Sequence, residues 1–150
     1  MRADHRAIAA LGLATIFAAL SALHVSWVLR STASSDVTAA ANATVPTRAD
    51  GTPVFRPGRL VTLTVALALA GAAVLVLGRA SVMARMAPEA WYAAGTWMLG
   101  VVLLLRVIGE FRYVGIFKRE RGTRFAALDT RYYTPLCGVL AAGVLYLALR

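Results

Sequence analysis

Four long apolar blocks, separated by polar segments that carry arginine, constrain this chain more than any other feature of it. They fall at about 7–29, 60–78, 90–109 and 134–149. A helix rises about 1.5 Å per residue, and a hydrocarbon core of about 30 Å takes roughly 20 apolar residues to cross. Three blocks meet that length and the fourth falls a little short, so it must start earlier, tilt little or thin the bilayer. Lipid offers no partner to backbone N–H and C=O groups, so each block is expected to be a helix. The bulk composition agrees: 59% apolar and 15% charged, where a soluble domain has about half and about a quarter. At 150 residues the chain has room for a single domain. The expected fold is all-α, a polytopic membrane protein built as a four-helix transmembrane bundle.

The first block has a rival reading. Met1 to Arg6 resembles the basic start of a signal peptide and Ala9 to Leu20 its apolar stretch. The block continues past that length and stops at Arg30, which favours a retained span. Ser31 to Asp50, rich in Ser, Thr and Ala, reads as a flexible loop with an Asn42-Ala43-Thr44 glycosylation sequon. Gly51 to Arg59 holds two prolines and two glycines and reads as successive turns. Ala66, Ala70 and Gly71 have the small-residue spacing that lets membrane helices approach. Pro88-Glu89 signals the start of the third block, where Trp91 and Tyr92 read as interfacial aromatics. Glu110 to Tyr133 interleaves aromatics with basic residues, the pattern of a segment lying on a membrane. Thr134 and Pro135 read as the cap and first residue of the fourth helix.

Four alternating spans put both long loops on the same side. That side gathers His24, Trp27, Arg30, Arg56, Arg59, Arg106, Glu110, Arg112, Asp129, Tyr132 and Tyr133. Net charge is +9, from fifteen Arg and one Lys against seven acids. On a soluble chain this would suggest nucleic acid; beside apolar blocks it suggests lipid phosphates instead. The two long loops hold ten of the basic residues and the opposite side five, so the positive-inside rule favours cytoplasmic long loops. The flanks of the first span, Arg2 and Arg6 against Arg30, point weakly the other way.

The residues able to carry chemistry are few. Arg106 lies in the last turn of the third span, and Glu110 four residues on is within reach on the same helix face. The pair reads either as a snorkelling helix-end arginine or as an anion site positioned by Glu110. His24, with Ser21 and Trp27 on its face, reads either as a packed intramembrane histidine or as a group that handles a proton or ligand. Asp129 is expected to pair with one of the arginines and fix the shape of its loop. Cys137 is alone, so no intrachain disulfide or cysteine metal site can form. No phosphate-binding glycine loop, metalloprotease helix, redox cysteine pair or nucleophile elbow is present. Neither a metal nor a cofactor is expected.

The chain resembles the bacterial membrane family known as domain of unknown function 3995. The resemblance rests on His24-Val-Ser-Trp27, on Gly51-Thr-Pro-Val-Phe-Arg-Pro-Gly58, and above all on Arg106-Val-Ile-Gly-Glu-Phe-Arg-Tyr-Val-Gly-Ile-Phe-Lys118. It continues through Thr123 to Arg131 and Tyr133-Thr-Pro-Leu-Cys137. Glu110 stands where the family commonly has Asp, and Ser26 where a Tyr often precedes the Trp. The resemblance implies a short four-span protein of the bacterial inner membrane and implies no activity.

Three functions compete. The first is a module that binds an anionic or amphipathic ligand at the basic, aromatic interface, with His24, Trp27, Arg106, Glu110, Arg112 and Asp129 as candidate contacts. The second is a structural or accessory subunit, whose glycine-lined helices pack on a copy of itself or on a partner membrane protein. A lipid-processing enzyme using His24 or Glu110 as acid or base is permitted by residue type but demanded by no spacing.

Overall fold

The computed structural model describes residues 2–30 and 44–149. Most of the loop read as flexible, and the asparagine of the sequon, lie outside the described residues. The helices are α1 (Arg2–Arg30), α2 (Arg59–Arg79), α3 (Glu89–Ile108), α4 (Arg124–Leu128) and α5 (Thr134–Ala148), with a π-helical turn at Asp129–Tyr133. Among the described residues the only extended pairing is an isolated bridge between Thr47 and Pro53.

Three helices, α1, α2 and α3, are long and apolar enough to cross a membrane. Their outward faces fit that reading. Leu60, Leu67 and Met98 are each more than 60% exposed, on a scale that a soluble monomer avoids. These features mark a helical membrane protein.

The four longest helices, α1, α2, α3 and α5, alternate in direction. Ser21 Oγ donates to the Ala66 carbonyl at 2.8 Å, joining the second half of α1 to the first half of α2. A Cβ on Gly95 would press on Leu75, and one on Gly100 would lie 2.5 Å from Leu145, so α3 approaches α2 and α5 closely through its glycines. The core comprises Ala10, Leu13, Ala14 and Phe17 of α1, Ala72, Ala73 and Val76 of α2, and Leu140, Val144 and Leu147 of α5. The first apolar block is therefore an integral part of the packed fold.

Two local expectations change. Trp91 is exposed, but Tyr92 turns inward against Gly78, where a Cβ would run into its ring, and its hydroxyl accepts the Met86 N–H. On α2, Ala66 packs against α1, whereas Gly71 faces open space. The inward face instead runs through Ala66, Ala73 and Val76, which follow the helical period.

The fourth helix begins earlier than Thr134. Helical backbone runs without a break from Arg124 through the π turn to Ala148. Thr123 is the true N-cap, its hydroxyl accepting the Ala126 N–H. Pro135 sits in the first turn after the π segment. It has no N–H to return to the preceding turn, and a widened i→i+5 turn is one way a helix absorbs that loss.

Candidate functional site at the long-loop end

The 109–123 segment is shaped by two glycines. Gly109 ends α3 with φ +82 and Gly115 has φ +84, both in the left-handed region. They lie against each other: a Cβ on Gly109 would collide with the Val114 carbonyl oxygen, and one on Gly115 would fall 2.6 Å from Gly109 Cα. The chain thus doubles back on the end of α3, and the Ile116 N–H bonds to the Val107 carbonyl at 2.8 Å.

Glu110 lies inside this crossing. Helix α3 has already ended, so the expected Arg106–Glu110 pair on one helix face does not form. The Glu110 carboxylate instead accepts the backbone N–H groups of Arg112, Tyr113 and Val114, closing the turn around itself.

Arg106 is paired with Asp129, Nη2 to Oδ1 at 2.6 Å. The other oxygen of Asp129 accepts Lys118 Nζ at 2.9 Å, the Gly115 N–H at 3.0 Å and the Thr134 hydroxyl at 3.1 Å. Lys118 Nζ also donates to the Gly115 carbonyl. Asp129 is fully buried, Lys118 is 4% exposed and the Arg106 side chain is 31% exposed. A buried carboxylate without partners would be forced toward neutrality. Burial does push the Asp129 carboxyl upward, but Lys118 and Arg106 outweigh it and hold the group below its ordinary value. Nearby, burial and the Asp129 charge push the Tyr133 phenol upward.

The cluster holds two cations and one anion, a surplus of one positive charge. It also leaves a hydrogen-bond donor unsatisfied. Arg106 Nη1 is shielded from solvent and has no hydrogen-bond partner among the described residues.

Of the six candidate residues, the structure joins Arg106 and Asp129 directly. Glu110 serves the turn, and the Arg112 guanidinium lies over the Tyr113 ring, 5.2 Å from its centroid. The His24 and Trp27 rings meet at a tilt of 54° with centroids 4.8 Å apart, and His24 Nδ1 bonds the Leu20 carbonyl at 2.7 Å, so these contacts lie within α1. Sequence reasoning misses Lys118 and Thr134 as members of the cluster. A usable signal exists for Lys118, the only lysine beside fifteen arginines.

The segment that builds this cluster, Arg106 to Thr134, lies within the part of the chain that the family model covers. That model spans residues 17–144 and describes a protein of unknown function, DUF3995. The chain belongs to the DUF3995 family. No curated protein and no solved structure matches it. Within the part matched to DUF3995, the run from Arg106 to Lys118 holds two left-handed glycines, a turn-closing acid and a buried lysine.

The two long connections meet at this end. A shallow cleft of about 220 Å³ is lined by Thr47, Arg48, Ala49 and Gly51 from one and by Gly122, Thr123 and Arg124 from the other.

Proposed function

We propose that this protein is a four-span module of the bacterial cell membrane, with its long loops in the cytoplasm, that binds an anionic amphipathic ligand beside Arg106. One observation carries the reading: a shielded, unpartnered guanidinium nitrogen in a cluster with one surplus positive charge. A carboxylate or phosphate headgroup would satisfy both, because a guanidinium offers its donors as a fork. The ligand's apolar part would lie along the lipid-facing side of α3. Helical backbone from Arg124 onward supports the fourth crossing, since it carries the apolar part of α5 up to the interface.

The accessory-subunit reading has less to work with. Gly78, Gly95, Gly100 and Gly143 already receive side chains of this same chain. Only Gly12 and Gly71 on the long helices leave open notches for a partner.

Native mass spectrometry from mild detergent tests the proposal, with wild type beside Arg106→Ala and Arg106→Lys. A discrete added mass on wild type that is lost from both variants supports it. The lysine variant can keep the charge on Asp129 while losing the second nitrogen, which separates ligand loss from misfolding. Bare protein in all three sinks it and turns attention to partner capture.

A further inference from the structure

We propose that the segment from Glu110 to Arg121 is a membrane-seated finger. Its tip of Phe111, Ile116 and Phe117 enters the boundary between acyl chains and headgroups of an anionic leaflet, and Arg112 and Arg119 rest on the phosphates.

Depth is set by the backbone. The bond from Ile116 N–H to the Val107 carbonyl brings the finger level with the last turn of α3, not above it. Apart from Arg106, whose charge is paired with Asp129, the last turns of α3 are apolar, so residues at that level sit at the edge of the hydrocarbon.

The tip is held at both feet. Asp129 bonds the Gly115 N–H and the Lys118 ammonium, so Ile116 and Phe117 bridge two anchored points. Lys118 points inward at 4% exposure, while Ile116 and Phe117 point outward at 57% and 58%. Phe111 stands beside them at 55%, its ring 6.1 Å from that of Phe117. Its φ is +68, a left-handed conformation that phenylalanine rarely adopts, and the adjoining turn enforces it. Three large apolar side chains are thus presented outward by a rigid backbone.

Charge selects the occupant. The Glu110 carboxylate is turned into the loop's own N–H groups. Arg112 and Arg119 are exposed, and the Arg112 carbonyl accepts the Arg119 N–H at 3.1 Å, so both cations flank the tip. Apolar tip and cationic shoulders together match an anionic lipid surface. The finger stands whether or not Arg106 binds a ligand.

The test uses the full chain in vesicles of phosphatidylcholine and phosphatidylglycerol. Phe117→Cys and Glu120→Cys are each made in a Cys137→Ala background and labelled with an environment-sensitive dye. Lipids brominated on the acyl chain should quench the label at position 117, placing it about 5–10 Å below the headgroup boundary. Aqueous iodide should quench the label at 117 severalfold less than the label at 120. Replacing Arg112 and Arg119 by Gln should lower the inserted-to-free ratio by about fivefold per arginine. Equal iodide access at the two positions overturns the proposal. So does efficient disulfide cross-linking between two copies of the unlabelled Phe117→Cys variant, which would mean that a second chain covers the tip. A read-out of depth is independent of any ligand mass, so this proposal and the Arg106 site can fail separately.

Discussion

Arginine ties both ends of the helix array, but the two ties are built differently. At the end away from the long loops, Arg79 reaches the Ala148 carbonyl at 3.3 Å and Glu89 at 3.5 Å, while Arg85 bonds Glu89 at 2.9 Å. The Glu89 side chain is 65% exposed there, although the Arg79 side chain that reaches it is only 12% exposed, so it is the acid that differs between the two ends. At the long-loop end the acid is buried and receives two cations, a backbone N–H and a hydroxyl. Exposed pairs compete with water and contribute little, whereas removing one partner of a buried pair strands the other. The same residue types therefore hold one end loosely and the other end in a single geometry.

Breaking the buried tie should have the largest effect. Asp129→Ala leaves Lys118 buried without a counter-charge and should cost about 3–5 kcal/mol, read as a lowered unfolding midpoint in detergent. A midpoint equal to wild type would mean that the cluster is solvated. Lys118→Arg sharpens the point, because it keeps the charge and changes only shape. A guanidinium overfills the space of an ammonium, so a loss of about 1–3 kcal/mol is expected. Gly109→Ala should cost at least about 1–3 kcal/mol through left-handed strain alone, and the collision of its Cβ with the Val114 backbone adds to that. Its signature is faster proteolysis between α3 and α4.

Acid gives a smaller, graded effect. The folded Asp129 carboxyl titrates below its unfolded value of about 3.9. Its contribution is therefore complete above that value and is lost as pH falls through the lower, folded one. An acid titration of the unfolding midpoint should show this step in wild type and lack it in Asp129→Asn. Smallest of all, Glu89→Gln at the exposed end should leave the midpoint unchanged within error. A drop as large as that of Asp129→Ala would erase the distinction between the two ends.

Much of the fold is legible because apolar runs here are bounded by sharp signals. The second and third blocks read as 60–78 and 90–109, and the helices run from Arg59 to Arg79 and from Glu89 to Ile108. Pro57-Gly58 and Pro88 break the chain where the blocks begin. The start of the fourth helix is misread because Thr134-Pro135 imitates a cap. The five residues just before it, Asp129 to Tyr133, are polar or aromatic, and their place in the helix rests on the Asp129 anchor to groups distant in sequence and on the Thr123 cap. The pairing of Asp129 with an arginine is legible from charge. That the arginine is Arg106 is not, since the spacing of Arg106 and Glu110 assumes a helix that Gly109 ends. His24 and Trp27 do share one face, yet shared position does not make them part of the cluster.

The buried lysine has a practical consequence. Because Lys118 carries the chain's sole ε-amino group, amine-reactive reagents should spare it in the folded protein and modify it only when the knot opens. The side chain that fastens the loop is therefore also a chemical reporter of whether the loop is fastened.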